Sequence, residues 1–169
     1  IEKEQLADLK IICLILQHDK IARDFLKDKT YQEEMDYLVS NEKRNKNQIC
    51  VVESVSDVFA IEQSNEFMGH YFILHGHLSP IDDIGPDELA LDLLFSRARE
   101  SETEEIILAT NSTLEGETTS HFIFDSLKNE QHLKITKLAQ GLPVGGEIEQ
   151  LDDGTLFSAF KNRVPVTGN

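Results

Sequence analysis

"ILATNSTLEGE", residues 107–117, runs from a hydrophobic segment into a polar turn at Thr110-Asn111 and leaves through a Glu-Gly-Glu step. The apolar run "EIILAT" (105–110) has the length and β-branched content of a buried strand, and "TSHFIFDSLK" after the turn predicts a helix. The same unit recurs on either side. Upstream, "ICVVE" (49–53) predicts a strand, and "SVSDVFAIEQS" predicts an amphipathic helix with Val58 and Ile61 three apart and Ser56 at its start. "YFILHGH" (71–77) is a further strand, and its spacing places His75 and His77 on one strand face. "LSPIDDIGPDEL" is a loop punctuated by Pro80, Gly85 and Pro86; it opens a helix at Pro86-Asp87-Glu88 that carries Leu89, Leu93, Leu94 and Ala98. Downstream, "LKITKLA" (133–139) is the last strand, and "GLPVGG" breaks it.

Strands that alternate with helices predict an α/β fold with a mainly parallel sheet covered on both faces. Sites in such sheets form at the carboxyl ends of the strands. Glu53, His77 and Thr110-Asn111 stand at three of those ends. "GLPVGG" follows neither the GxGxxG nor the GxxxxGK[ST] spacing, so a nucleotide cradle is not indicated.

The 169 residues carry 16 basic and 31 acidic side chains, a formal charge of −15 that is unevenly spread. Residues 1–48 hold nine Lys/Arg against ten Asp/Glu, and residues 49–169 hold seven against 21. So acidic a surface repels a phosphate backbone. Nucleic acid would meet the chain at "EKRNKN", where Lys43, Arg44 and Lys46 form a local basic cluster; the plainer alternative is a solvated linker. The apolar runs fall short of the roughly 20 residues a membrane span needs. No secretory signal pattern is visible, and the two cysteines, Cys13 and Cys50, are far apart; both features fit free thiols in a cytoplasmic protein.

Several motifs in register carry a family resemblance. "ICVVESVSDVFAIE" resembles the first motif of the Toprim fold, and "ATNSTLEGE" resembles its second, which reads TDPDREGE in type IA topoisomerases. "GHLSPIDDIGPDEL", "ILATNSTLEGETT" and "LAQGLPVGGEIEQLDDGTL" resemble the RecR family of bacterial recombination mediators, with similarity from about Gln48 to Arg163. The resemblance implies a divergent helical segment over 1–47, a Toprim domain over 48–143 and a C-terminal strand/helix arm over 144–169. It also implies a zinc finger ahead of the Toprim domain and a helix-hairpin-helix before that. Here the hairpin's GVG turn is absent, and Phe25, Asp28, Asp36 and Val39 stand at the approximate zinc-ligand positions. Without a thiolate or imidazole these make a poor zinc site, so no cofactor is expected.

A catalytic Toprim site holds magnesium with a Glu on the first strand and two Asp after the third. Only Glu53 matches; Asn111 and Thr113 offer an amide and a hydroxyl. The resemblance therefore implies a vestigial acidic site in a non-enzymatic mediator that works with RecO and RecF to load recombinase at single-stranded gaps. It implies weak DNA binding by this chain alone and assembly into a homo-oligomer. Glu115 and Glu117, at the start of the helix after the turn, are the expected partner contacts. Two alternatives stand beside this reading: a metal-dependent phosphodiester enzyme of primase or nuclease type, and an interaction module that has lost DNA binding.

Overall fold

A computed structural model describes residues 43–166. The degenerate zinc-ligand positions, Cys13 and most of the expected helical segment over 1–47 lie outside the described residues. The chain divides after Thr136 into two compact units.

In the first unit, β1 (Asn45–Val52), β2 (Gly69–Ile73), β3 (Glu105–Leu108) and β4 (Lys134–Lys137, which crosses the division) form one sheet in the order β2-β1-β3-β4. β1 pairs in parallel with both β2 and β3, with Cys50 opposite Tyr71 on one side and Ile107 on the other. Helices α1 (Val55–Glu62), α2 (Leu91–Ala98) and α3 (Leu114–Leu127) connect the strands. The parallel arrangement follows from these crossovers, which return each strand to the same end of the sheet.

The period-two side-chain alternation of β1 explains its uninterrupted apolar run. Ile49 and Val51 point into a core with Phe72, Leu94, Ile106 and Ile123, the layer under α2 and α3. Cys50 and Val52 point into the opposite core with Val58 and Tyr71, the layer under α1. A central strand buried on both faces cannot afford a polar residue on either. Burial pushes the Cys50 thiol up to about 12, with the nearby Glu62 carboxylate adding to the effect.

Local details differ from the expected ones. The helix after β1 is capped by Ser54, not Ser56: Ser54 Oγ accepts from the Asp57 amide at 3.3 Å, while the Asp57 carboxylate accepts from the Ser54 amide at 2.8 Å. α2 starts at Leu91 and not at Pro86. Residues 86–90 form turns, with Ala90 in the left-handed region at φ 51°. β2 stops at Ile73, so His75 and His77 lie in the loop beyond it and do not share a strand face. His75 has φ 56°, a left-handed conformation that a strand excludes.

The second unit holds a single 3₁₀ turn (Ile148–Gln150) and α4 (Asp153–Lys161) among its described residues past β4. No strand forms over 144–166, where one was expected; Gly145, at φ 82°, turns the chain back after Pro143. Asp152 caps α4 by accepting from the Thr155 amide at 2.9 Å and the Thr155 hydroxyl at 2.7 Å. Ile148, Phe157, Phe160 and Val164 are each more than 60% exposed. No described helix is long and apolar enough to cross a membrane.

Candidate functional site

The polar residues at the strand ends converge. Glu53 follows the last residue of β1 and is 6% exposed. Asn111, three residues past β3, donates its backbone N–H to one Glu53 oxygen at 2.8 Å and its side-chain Nδ2 to the other at 3.0 Å. His77, from the loop after β2, brings Nδ1 within 3.3 Å of the second oxygen, a contact that serves an ionised carboxylate in the tautomer with its proton on Nδ1. The Gly76 amide donates to the Glu53 carbonyl at 2.9 Å. One buried carboxylate thus ties together the exits of three strands.

Thr113 serves elsewhere. It is the N-cap of α3, its hydroxyl accepting from the Gly116 amide at 3.1 Å. Glu115 and Glu117 occupy the first turn of α3, where negative charge meets the positive end of the helix dipole. Glu115 is exposed and Glu117 half-buried.

Gly116, between these two acids, is the residue sequence reasoning passed over. A Cβ there would overlap the Asn111 carbonyl and stand 2.7 Å from a Glu53 oxygen. The helix start is therefore pressed against the carboxylate, and only glycine permits the approach. The Thr110 hydroxyl adds to the junction, donating to the Gly116 carbonyl at 2.9 Å and lying 2.6 Å from Ser120 Oγ. A glycine between two acids in a helix's first turn, where it lowers helix propensity, is the signal that could have found this packing.

The magnesium implied by the Toprim resemblance does not fit this arrangement. Both oxygens of the single carboxylate already accept amide protons, Asn111 presents donors to it, and the Thr113 oxygen is committed to a cap. A hard cation needs several free, negatively charged oxygens converging on one point. Among the described residues no group of three His, Cys, Asp or Glu side chains could hold a metal ion.

The basic cluster is also changed. Arg44 is buried: its Nη2 lies 2.6 Å from Glu62, its Nε donates to the Gly69 carbonyl at 2.7 Å, and Nη2 donates to the Phe67 carbonyl at 3.1 Å. Its guanidinium carbon stands 5.6 Å from the centre of the Tyr71 ring. The fork is spent within the protein, so Arg44 is not available to a phosphate. Lys43 and Lys46 remain exposed.

A family model described as a Toprim domain matches residues 47–139, and one described as RecR, C-terminal, matches residues 141–164. The recombination protein RecR of Halorhodospira halophila is 51% identical over 137 residues, which is 81% of this chain and 68% of that protein. The chain belongs to the RecR family. The RecR of Saccharophagus degradans is 50% identical over 129 residues, covering 76% of this chain and 65% of that protein. That of Hydrogenovibrio crunogenus is 51% identical over 127 residues, covering 75% and 64%. The chain thus spans just under two thirds of the length of these last two RecR proteins, and the matched stretch includes Glu53, Asn111, Gly116 and the loop between β2 and α2.

Proposed function

We propose that this chain is a recombination mediator of RecR type that performs no bond chemistry and works in a DNA repair assembly with RecO- and RecF-type partners at single-stranded gaps. The observation that carries this reading is the Glu53–Asn111 pair, a carboxylate at a metal-site position held by an amide. Such a pair ties the strand ends together and occupies both oxygens of the carboxylate that would otherwise hold an ion for phosphodiester cleavage. The exposed Glu115 and the half-buried Glu117 then act as contacts for a basic partner surface, while Lys43 and Lys46 are the candidate phosphate contacts. With Arg44 withdrawn, two lysines on a chain of charge −15 support only weak DNA binding. The apolar side chains exposed along α4 and its flanks suit assembly of several copies, and a mediator that works on bacterial DNA is at home in the cytoplasm.

Two measurements test this. Plasmid DNA incubated with the chain and magnesium should stay intact; nicking that disappears in Glu53→Ala would overturn the reading in favour of an enzyme. Calorimetric titration against a RecO-type protein should show affinity falling about tenfold or more in Glu115→Ala or Glu117→Ala, the loss expected when one side of an interfacial charge pair is truncated. Wild-type affinity in both variants would remove the acidic pair from the interface.

A further inference from the structure

Between the β2–α2 loop and α3 lies an open pocket of about 490 Å³ whose apolar lining is Leu78, Pro80, Ile84, Pro86 and Phe122. Asp83 and Glu88 stand in its lining, and Thr118 is exposed on the helix side. The residues from Asp82 to Glu88 include four acids and no base.

The loop wall is built rather than loose. Ser79 and Ile84 exchange backbone hydrogen bonds at 3.0 and 2.9 Å, and the Ser79 hydroxyl donates to Asp82 at 2.6 Å. The Gly85 amide donates to the Glu88 carboxylate at 2.8 Å, and the Leu78 amide donates to the Thr119 hydroxyl, which fastens the loop to α3. Asp83 sits at φ 60°, a left-handed position that short polar side chains tolerate and most others do not. A preformed wall of this kind lowers the ordering cost of binding.

Apolar surface continues past the pocket on both walls. Ile81, between the lining residues Pro80 and Asp83, is 96% exposed, and Leu114, one helical turn before Thr118, is 80% exposed. An occupant that covers all of this is longer than a small molecule. The acids decide its chemistry. A nucleic acid is repelled by them, and so is the acidic face of a second copy at this groove, whatever apolar contacts copies make elsewhere.

We infer that this groove docks a peptide segment of a partner protein, one that inserts an aromatic or branched apolar side chain beside Phe122 and Ile84 and flanks it with Lys or Arg facing Asp83 and Glu88. The segment is recognised by an apolar anchor for affinity and by flanking charge for orientation and rate. The inference stands without the recombination reading, because it rests on the groove and not on Glu53, Glu117 or any named partner.

The test uses the full 169-residue chain, ¹⁵N-labelled, and three synthetic peptides: a Phe-Leu core flanked by Lys and Arg, the same core flanked by Glu, and the basic flanks around Ser-Gly. The basic apolar peptide should perturb the amides of Leu78, Ile84, Thr118 and Phe122, and bind about tenfold or more tightly than either control. Thr118→Trp, which fills the groove from an exposed position, should abolish those perturbations without lowering the melting temperature. Asp83→Asn, which keeps a residue suited to the left-handed conformation, should weaken binding several-fold. Equal binding of the acidic peptide, perturbations mapping elsewhere, or indifference to Thr118→Trp would each overturn the proposal. So would displacement of the peptide by oligothymidylate from the same amides, or self-association that Thr118→Trp removes, since either names a different occupant.

Discussion

Glu53 and Glu62 flank the same short stretch of chain, and both are withdrawn from water, but they are satisfied in opposite ways. Glu62 faces a cation: Arg44 approaches it at 2.6 Å, and the Tyr71 hydroxyl donates to it at 2.7 Å. Glu53 is held chiefly by the uncharged Asn111, which donates to both of its oxygens. The Arg44–Glu62 pair joins the start of β1 to the end of α1 under the ring of Tyr71, whose own hydroxyl is pushed far above its ordinary range, chiefly by burial. It is a structural pair that fails as a unit, because removing one member leaves the other charged and withdrawn from water without its counter-charge. The Glu53 junction degrades in steps, because losing Asn111 removes hydrogen bonds and not a counter-charge.

That difference sets the largest expected effect. Arg44→Met should cost about 3–5 kcal/mol in urea unfolding, the range for breaking a buried ion pair from one side. The double variant Arg44→Met/Glu62→Leu should recover most of the loss. A cost below about 1 kcal/mol for the single variant would place the pair with surface salt bridges and return Arg44 to the list of DNA contacts.

The contrast also separates what was legible in the sequence from what was not. The strands, their parallel order and the polar residues at their ends follow from runs such as "ICVVE" and "EIILAT", whose signal is local. The convergence of Glu53, Asn111 and His77 followed from the topology of parallel sheets. What the residues do at that convergence was not legible, since Asn111 reaches Glu53 across 58 positions and Arg44 reaches Glu62 across 18. In a row of lysines, Arg44 has the appearance of a surface charge. Only the fold supplies the two carbonyls and the carboxylate that bury it. The cap at Ser54 was legible in part: Ser54 and Asp57 are three apart, the spacing of a capping box, but the adjacent Ser56-Asp57 pair was the nearer pattern. The start of α2 was misplaced because Pro86 suits a first helical turn, whereas here the carboxylate of Glu88 turns back to the Gly85 amide and closes a loop instead.

The Glu53 junction can be stressed by changing its partners. Asn111→Asp places a second carboxylate where an amide donates at 3.0 Å, and at neutral pH the two charges repel. The expected loss is on the order of 2 kcal/mol, shrinking as the pH falls and one of the two takes up a proton. Magnesium should not restore the variant. Recovery of the wild-type melting temperature in magnesium, but not in sodium of equal ionic strength, would mean that the donors still fit an ion, and would bring Glu53 closer to a metal ligand than to a structural tie.

Gly116→Ala probes the same junction by shape. The added methyl meets the Asn111 carbonyl and a Glu53 oxygen, so the first turn of α3 must move. Overpacking of this kind costs about 1–3 kcal/mol, and here it works against the gain in helix propensity that alanine brings elsewhere. A neutral or stabilising Gly116→Ala, read by thermal melting, would show that the junction is softer than its hydrogen bonds suggest.

The smallest effect concerns a third glutamate, which lies between the two extremes. Glu105 is half-buried at the start of β3, where partial burial works to raise its pKa. Hydrogen bonds from Gln48 and Thr136, each 2.8 Å, and the Lys134 ammonium 3.8 Å away outweigh that and hold the carboxyl below its ordinary range. A carboxyl depressed in the folded state contributes stability above the pKa of the unfolded chain, and the contribution disappears as pH falls through the folded value. Glu105→Gln should therefore cost a few tenths to about 1 kcal/mol at pH 7, the range of partly screened surface pairs. The gap between variant and wild type should close below about pH 4, where the unfolded carboxyl is itself protonated. Urea midpoints measured from pH 3 to pH 7 decide it. A gap that persists unchanged into acid would mean that the contacts to Gln48 and Thr136 hold β1, β3 and β4 together by shape and hydrogen bonding alone, as the Asn111 amide does at Glu53, and that charge matters at this sheet only where Arg44 supplies the partner.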